Sequence, residues 1–389
     1  MKSGGKNLSP AEGKIVGWLA EQQAPMLDLL RDLVNIDSGS YNKDGIDQVG
    51  ARLQRFLRDH GIAHSVTSDE ASGNIICAKV GEGAAPVVLL GHQDTVFPNG
   101  EAASRPFRIT KGRGYGPGVA DMKAGLVMNA FVLAAALHCG LSIPLTALFT
   151  SDEEIGSPFS RPHIEKATRG VRAVFNSEPG RPTGNVVTRR KGGRFMRLDV
   201  AGKAAHSGTN FGDGASAVLE IAHKITALSA LTDIDQGTTI NVGIVRGGQS
   251  VNMTAPCAQA EIDMRFATSA LRDEAMREIE RIASSTQVNG TRAELKVASE
   301  FLPLVPTPES EFVYDCYRVA ARDLGATVAA EASGGCADSG FSAAVGAPTL
   351  CAVGPVGGKA HTPDEYVEID SLVQRAQILA LAAFRVGSA

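Results

Sequence analysis

The fold is indicated most clearly by a short apolar run that ends in polar residues, Val87-Val88-Leu89-Leu90-Gly91-His92-Gln93-Asp94. A second run has the same form, Leu145-Thr146-Ala147-Leu148-Phe149, and leads into Asp152-Glu153-Glu154. Apolar runs of this length are typical of buried strands in a parallel sheet, and open α/β folds place their sites beyond the carboxyl ends of such strands. The two runs therefore predict an α/β fold with a functional site at one edge of the sheet.

Three further acidic or imidazole side chains occupy comparable positions. Asp121 follows the Gly-rich stretch Gly114-Tyr115-Gly116-Pro117-Gly118 and precedes a helical pattern. Glu178 follows an apolar segment at 173–176, and His361 follows a strand-like segment at 349–353 and several glycines. Each has a simple structural alternative, such as a helix-capping aspartate or a solvated loop residue. Only the set as a whole indicates a site.

Such a set predicts a bound cation. Carboxylates crowded at one sheet edge repel one another unless a positive charge lies among them. His and carboxylate ligands suit zinc, cobalt or manganese, and a shared aspartate suits a pair of ions. His92 and Asp94 are two residues apart, so both face one side of the strand and the carboxylate can orient the imidazole.

Composition limits the class of protein. The chain has 389 residues, which favours two domains, with 43% hydrophobic and 21% charged residues, as in ordinary soluble globular proteins. The formal net charge of -4 provides no basis for binding nucleic acid or an anionic membrane. The start, Met1-Lys2-Ser3-Gly4-Gly5-Lys6, lacks the apolar core of a signal peptide, and no apolar run approaches the roughly 18 residues of a membrane span. We therefore expect a cytoplasmic protein.

The six cysteines are scattered without a Cys-x-x-Cys pair, which disfavours a structural zinc site. Cys336 stands apart because it lies in the loop Ser333-Gly334-Gly335-Cys336-Ala337-Asp338. Its two interpretations are a small residue in a tight loop, which we favour, and a member of the site.

The pattern changes along the chain. Residues 1–189 and 303–389 alternate between helical and strand patterns, which predicts one discontinuous α/β domain. Residues 190–302 have the order βαββαβ of a split-βαβ, ferredoxin-like unit, long enough to fold as an inserted domain. A Pro-rich joint, Pro303-Leu304-Val305-Pro306-Thr307-Pro308, marks the return to the first domain.

The motifs together resemble a known family. They are Gly91-His92-Gln93-Asp94-Thr95-Val96-Phe97-Pro98, Gly118-Val119-Ala120-Asp121-Met122-Lys123, Asp152-Glu153-Glu154-Ile155-Gly156, Ser177-Glu178-Pro179 and Ala360-His361-Thr362. In order and spacing this set is similar to the co-catalytic di-zinc family of aminoacylase, acetylornithine deacetylase, succinyl-diaminopimelate desuccinylase and the folate-cleaving glutamate carboxypeptidase. The resemblance runs from about residue 25 to 386. It implies a catalytic domain with a mixed central sheet flanked by helices, and a ferredoxin-like lid and dimerisation domain.

The resemblance also implies roles for single residues. His92 and Glu178 would hold one zinc, Glu154 and His361 would hold the other, and Asp121 would bridge them. Cobalt or manganese would be substitutes for zinc. Glu153 would be the general base, and Asp94 would orient His92.

In the lid, Gly202-Lys203-Ala204-Ala205-His206-Ser207-Gly208 is similar to the family's lid histidine motif. His206 would then be an oxyanion donor, from the same or a neighbouring subunit of a homodimer formed through the lid. Asn252 and Arg265 would contact the substrate carboxylate or the tetrahedral oxygen.

The implied activity is hydrolysis of an amide or peptide bond next to a free carboxylate, in a small-molecule amide or a dipeptide. The family's glutamate carboxypeptidases use extra cationic residues to hold the glutamate side chain. The corresponding regions here, around Asn185 and Phe301-Leu302-Pro303, show no obvious Lys or Arg, and Ala337 stands where the family often has a hydroxyl residue. A strict preference for glutamate is therefore not expected, and an apolar or aromatic amide fits equally well. The alternatives are an N-acyl-amino-acid deacylase and, more remotely, a non-catalytic dimeric metal-binding scaffold, which would have no need of Glu153.

Overall fold

The chain forms two compact units in a computed structural model that describes residues 8–141 and 143–389. The first unit falls within Met1–Arg189, Pro306–Ala332 and Ala337–Ala389. The second comprises Arg190–Val305 and the short stretch Ser333–Cys336. The N-terminal stretch 1–6 discussed above lies outside the described residues.

The first unit begins with alternating helices and strands. In chain order these are α1 (Pro10–Ala20), α2 (Gln23–Val34), α3 (Lys43–Asp59), β1 (Ala63–Thr67), β2 (Ile75–Val80), β3 (Val87–His92), α4 (Glu101–Ser104), β4 (Arg108–Thr110), β5 (Arg113–Tyr115), α5 (Ala124–Cys139), β6 (Leu145–Thr150), α6 (Ser160–Thr168), β7 (Ala173–Asn176) and β8 (Val186–Arg190). Helix α3 begins at Lys43 because the Asn42 side chain caps it by accepting from Gly45 N–H.

The remaining elements belong to the second unit and to the return of the chain. They are β9 (Gly192–Ala201), α7 (Ala217–Ser229), β10 (Thr239–Gly247), β11 (Cys257–Phe266), α8 (Ser269–Ser284), β12 (Arg292–Phe301), α9 (Pro308–Asp323), β13 (Ala330–Ser333), α10 (Ser339–Ala344), β14 (Thr349–Cys351), β15 (Gly357–Gly358), β16 (Tyr366–Glu368) and α11 (Ile369–Ser388).

A mixed eight-stranded sheet is the centre of the first unit, in the order β1-β2-β6-β3-β7-β14-β8-β13. Strands β6, β3, β7 and β14 are parallel to their neighbours in this group, whereas β1, β2 and β8 pair antiparallel. Strands β3, β6 and β7 are buried along their whole length, as their continuous apolar runs require. The predicted α/β class with a mixed sheet flanked by helices is confirmed.

Helix α5 is the core helix of this unit, since nearly all of its residues are buried and it packs on β3, β6 and α11. With the irregular turn Val119–Lys123 it forms the segment Val119–Cys139, whose 21 residues and mean hydropathy of 1.5 are sufficient, by length and composition, to cross a membrane. The sequence predicts no apolar run of this length, because Asn129 and His138 interrupt the Ala-rich stretch from Ala124 to Cys139. Within the described residues, 89% of its most apolar window is buried inside the protein, as in a core helix.

A small second sheet, β15-β16-β5-β4, was not predicted. Its strands are two or three residues long, too short to show a period-2 pattern. Tyr366 pairs with Tyr115 and Val367 pairs with Gly114. This sheet therefore joins the segment before Asp121 to the segment after His361.

The second unit has the element order β9-α7-β10-β11-α8-β12, with a four-stranded antiparallel sheet in the order β10-β11-β9-β12. This is the arrangement of the split-βαβ motif. One face of the sheet and the two helices enclose a separate core that includes Leu198, Ile262, Phe266 and Ile279.

Candidate active site

His92 is the last residue of β3 and is buried. The parallel neighbour β6 ends beside it, because His92 is in register with Thr150. Its Nδ1 lies 3.3 Å from Asp94 Oδ1 and 3.0 Å from the Asp94 carbonyl oxygen. Nδ1 therefore faces the acceptors of Asp94, and Nε2 is left to face the other acidic groups.

Asp121 lies between two imidazoles. Its Oδ1 is 3.3 Å from His92 Nε2, and its Oδ2 is 3.3 Å from His361 Nε2. Each oxygen of one carboxylate thus faces a different ring. In this position a carboxylate can bridge two cations.

The backbone around Asp121 is held by a residue that the sequence did not single out. Buried Glu365 accepts hydrogen bonds from Gly118, Ala120 and Asp121 N–H at 3.0, 2.8 and 2.8 Å. Asp121 is consequently no helix cap; it lies in the irregular turn before α5. In the sequence, the only indication that Glu365 belongs to the site is that this carboxylate lies four residues after His361.

The three consecutive acids after β6 have separate roles. The Asp152 carboxylate accepts from Phe159 N–H at 2.6 Å and Ser160 N–H at 3.2 Å, so it caps the start of α6. Glu154 Oε2 lies 3.2 Å from His361 Nε2. Glu153 is buried, and its Oε2 lies 3.9 Å from His92 Nε2.

The Asp94 carboxylate also accepts hydrogen bonds from three groups other than His92. Its Oδ1 accepts from Glu153 N–H and its Oδ2 from Glu154 N–H, each at 3.1 Å, and Ser40 Oγ donates to Oδ2 at 2.7 Å. Burial opposes ionisation, but the hydrogen bonds from His92, Ser40 and the backbone lower the pKa of Asp94. One ionised carboxylate therefore fixes the end of β3 and the turn after β6.

Glu178 follows β7 and completes the group, with Oε1 3.7 Å from His92 Nε2. Seven of the ten predicted site residues thus lie together in the first unit. Three sets of side chains have ligand atoms within 4.8 Å of one another: His92, Asp121 and Glu178; Asp121, Glu154 and His361; and His92, Glu153 and Glu154.

These side chains fit a metal. The donor set is imidazole and carboxylate, which suits zinc and similar ions. Among the described residues, two buried atoms of the group, His92 Nε2 and Glu154 Oε1, have no hydrogen-bond partner of good geometry. A buried polar atom without a partner is costly unless something else binds it, and cations bound within this group would satisfy both atoms.

Burial and charge shift the protonation of the group. Burial raises the pKa of Glu153 well above its ordinary value, and the charges of Glu178 and Glu154 act in the same direction. Hydrogen bonds to Asp121 and Glu154 raise the pKa of His361 to about 10. The raised pKa of His361 indicates a strongly negative local potential, which attracts a cation.

Asp338 is a second residue that the sequence left unassigned, although it lies in the Gly-rich loop. It is buried and accepts hydrogen bonds from Ser157 Oγ and from Thr150 Oγ1, the latter at 3.2 Å. Burial raises the pKa of Asp338 to about 7, with the charges of Asp152 and Asp94 adding to the shift. Asp338 therefore ties the end of β6 to the start of α10.

His206 and Asn252 belong to the second unit and are neighbours there, since Ser207 N–H donates to the Asn252 carbonyl at 3.0 Å. His206 Nδ1 accepts from the backbone N–H groups of Gly208 and Thr209, both at 3.1 Å. Because Nδ1 is an acceptor, the neutral ring carries its proton on Nε2. The exposed ring therefore presents an N–H donor to whatever approaches it.

Arg265, the third predicted residue of the second unit, lies near the end of β11. Its Nε and Nη2 donate to Asp263 at 2.7 and 3.0 Å, and its Nη1 donates to Cys336 Sγ at 2.9 Å. Cys336 thus holds Arg265, a predicted substrate-binding residue. This role differs from both sequence-based interpretations, a small residue in a tight loop and a member of the site.

Comparison with known proteins agrees with the resemblance drawn from the motifs. The model of Peptidase family M20/M25/M40 matches residues 88–385. The chain is 27% identical over 380 residues to carboxypeptidase G2 of Pseudomonas sp. (strain RS-16), which covers 95% of this chain and 91% of that protein. It is 30% identical over 267 residues to acetylornithine deacetylase of Myxococcus xanthus, covering 61% of this chain and 65% of that protein.

The fold is similar to that of Sso-CP2 from Sulfolobus solfataricus, an M20 family metallo-carboxypeptidase. The TM-score is 0.77 at 18% sequence identity, with 94% of this chain and 99% of that chain covered. At this identity the likeness concerns the fold alone.

Proposed function

Since this chain belongs to peptidase family M20/M25/M40 and is a metallo-hydrolase of peptide or amide bonds, we propose that it cleaves an amide next to a free carboxylate in a small-molecule amide or dipeptide. The observation that carries the proposal is the position of Asp121 between His92 and His361, with buried Glu153 beside them. In this arrangement a carboxylate free to take a proton lies next to a pair of candidate metal sites.

Two zinc ions are the cofactors in this proposal, with cobalt or manganese as substitutes. His92 and Glu178 would hold one ion, Glu154 and His361 would hold the other, and Asp121 would be shared, since it belongs to two of the candidate ligand sets. When bound, such a pair polarises a carbonyl oxygen and makes a water molecule acidic near neutral pH.

Glu153 is the general base of the proposed reaction. Its carboxylate takes a proton from the water that attacks the amide carbon, and it returns a proton to the amine nitrogen as the C–N bond breaks. The raised pKa of Glu153 suits both steps, because the base must hold the proton between them. Asp94 keeps the backbone N–H groups of Glu153 and Glu154 in place and orients His92.

The second unit supplies the substrate contacts of the proposal. His206 donates Nε2–H to the developing oxyanion, from the same subunit or from a neighbouring one. Arg265 binds the free carboxylate, and Asn252 assists, since its Oδ1 already accepts from Ser250 Oγ and its amide N–H groups are the donors left.

We include a homodimer through the lid in the proposal. Strand β10 is at an edge of its sheet, and Ile244 and Val245 on it are 41% and 49% exposed. Val218 and Leu219 of the adjacent helix α7 are also exposed, at 42% and 50%. An edge strand beside exposed apolar side chains is suited to pairing with a second copy. Analytical ultracentrifugation of wild type and Ile244→Arg tests the dimer. Wild type should sediment as a dimer and Ile244→Arg as a monomer, and a monomeric wild type would contradict the proposal.

A second candidate function is N-acyl-amino-acid deacylation. The observation that favours it is the similarity to an acetylornithine deacetylase. Both candidates use the same residues and differ in whether the group on the acyl side of the scissile amide is large or small.

The experiment is amine release by zinc-loaded protein across N-acyl amino acids, dipeptides and folate-like glutamyl amides. Glu153→Gln should lower kcat about 1,000-fold, whereas Glu70→Gln, an exposed glutamate elsewhere, should leave kcat unchanged. Cleavage confined to amides beside a free carboxylate supports the first candidate, and a preference for N-acetyl or N-succinyl groups supports the second. Full activity of Glu153→Gln would refute the proposed base.

A further inference from the structure

A cleft of about 450 Å³ opens within the first unit beside the candidate site. Three segments line it, 39–42, 95–99 and 154–155. One of its lining residues is Glu154, whose carboxylate lies 3.2 Å from His361. The cleft and the acidic group therefore share a wall.

The walls of the cleft are tied together by hydrogen bonds. Thr95 N–H donates to Ser38 O at 2.9 Å, and Ser40 N–H donates to Thr95 O at 3.2 Å. Asn42 Nδ2 donates to Asn99 Oδ1 at 2.7 Å on the outer side. These bonds hold two segments remote in sequence side by side, so the cleft is formed before any ligand enters it.

One of these segments is also coupled to the proposed catalytic group. Ser40 lines the cleft and donates to Asp94 Oδ2 at 2.7 Å, and Asp94 in turn accepts from Glu153 and Glu154 N–H. A group in the cleft consequently lies next to the reacting centre and does not occupy a remote surface.

The lining is apolar and aromatic over most of its extent, with Tyr41, Val96, Phe97, Pro98 and Ile155. Tyr41 is 88% exposed and Val96 is 42% exposed, although large apolar side chains usually gain by burial. The Arg105 guanidinium covers Phe97 at 4.9 Å from the ring centroid, which holds the ring in place.

The charge of the cleft indicates which half of a substrate it accepts. Among the described residues that line it there is no Lys, Arg or His. A carboxylate placed there would meet no cationic lining side chain and would lose water against the apolar walls at a cost. The half of the substrate that bears the free carboxylate is therefore disfavoured, and the uncharged half is favoured.

We propose that this cleft binds an aromatic or bulky apolar acyl group of the substrate, and that Tyr41, Phe97 and Ile155 determine this specificity. The inference rests on the proposed function, because it assumes an amide with its carboxylate on the leaving side. A cleft that binds a bulky acyl group fits the carboxypeptidase-like candidate, whereas a deacylase of small acyl groups would have no use for it.

The test is calorimetric binding of two probes, N-benzoyl-glycine and N-acetyl-glycine, to zinc-loaded protein carrying Glu153→Gln. We expect N-benzoyl-glycine to bind about tenfold more tightly, since a ring is transferred from water to an apolar cleft. Tyr41→Ala in the same background should reduce this ratio to about threefold. The exposed position of Tyr41 means that its truncation does not threaten the fold.

Ile109→Ala is the matched control, because Ile109 is a 46%-exposed apolar residue of the same unit outside the cleft lining. It should retain the tenfold ratio. Equal affinity for the two probes, no measurable binding of either, or an unchanged ratio in Tyr41→Ala would overturn the inference. Consumption of the probes during titration would instead contradict Glu153 as the base, so the two failures are distinguishable.

Discussion

The predicted functional side chains of the two units differ in how they are held. In the first unit most of them are buried, and the oxygens of Asp94 and Asp121 face imidazoles or backbone N–H groups. In the second unit His206 and Asn252 are exposed, and Arg265 is held by two neighbours. The first arrangement is preorganised for chemistry at a fixed point. The second presents donors to an incoming molecule.

The largest effect that would sharpen this contrast is expected from His206→Ala. An exposed oxyanion donor should affect the rate and not the fold, so kcat should fall about 100-fold with an unchanged circular dichroism spectrum. His223→Ala provides the control, since His223 is exposed on α7 of the same unit. Wild-type kcat in His206→Ala would remove this residue from the proposed mechanism.

Glu365→Ala addresses how the first unit holds its ligands. Its loss leaves three backbone N–H groups around Asp121 without their acceptor. Zinc affinity, measured against a chelating dye, should weaken 10- to 100-fold, as for other residues that support a ligand. Glu368→Ala is matched to it, because Glu368 lies on β16 nearby and pairs with Arg113 at the surface. Equal losses in the two variants would contradict a positioning role.

The pH dependence of stability tests the buried polar character of the first unit. Burial raises the pKa of Asp338 to about 7 from an ordinary value of 3.8. Between these values the folded state binds more protons than the unfolded state, so stability falls as pH rises through this window and the contribution of the neutral carboxyl is lost above pH 7. Relative to Asp338→Asn, wild type should lose on the order of 2 kcal/mol of unfolding free energy between pH 5.5 and 8.5.

Urea unfolding followed by the fluorescence of Trp18, the single tryptophan of the chain, measures this difference in the first unit. Asp235→Asn, at an exposed position of the second unit, should show the same pH profile as wild type. Parallel profiles for wild type and Asp338→Asn would show that Asp338 ionises normally.

The smallest expected effect belongs to Cys336→Val in the second unit. The variant removes the acceptor of Arg265 Nη1. Because one hydrogen bond contributes about 1 kcal/mol, KM for carboxylate-bearing substrates should rise several-fold, while kcat should change little. Cys336→Ser keeps an acceptor and should recover part of the affinity. Cys257→Val, at an exposed cysteine of the same unit, is the control. A fall in kcat with constant KM would exclude a role through substrate binding.

Local pattern was enough to find the seven acidic and imidazole residues of the first unit. His92, Glu154 and Glu178 follow apolar strands, and the carboxyl ends of neighbouring parallel strands meet at one edge. Pattern was insufficient for Asp152, which looks like Glu153 and Glu154 in the sequence but caps α6 in the structure. Consecutive residues on a turn point in different directions, and only the path of the chain decides which of them meet.

The sequence by itself determined the α/β class, and it predicted the βαββαβ order of the second unit and a set of candidate ligands, because apolar runs and spacings within a few residues carry this information. The tertiary structure alone decided the contacts made across the chain. Glu365 reaches Asp121 over 244 residues, and Cys336 reaches Arg265 over 71. The strands that bring His361 to Asp121 are two or three residues long. Such contacts leave no periodic signal, since they depend on loop closure and packing instead of the local preference of either partner.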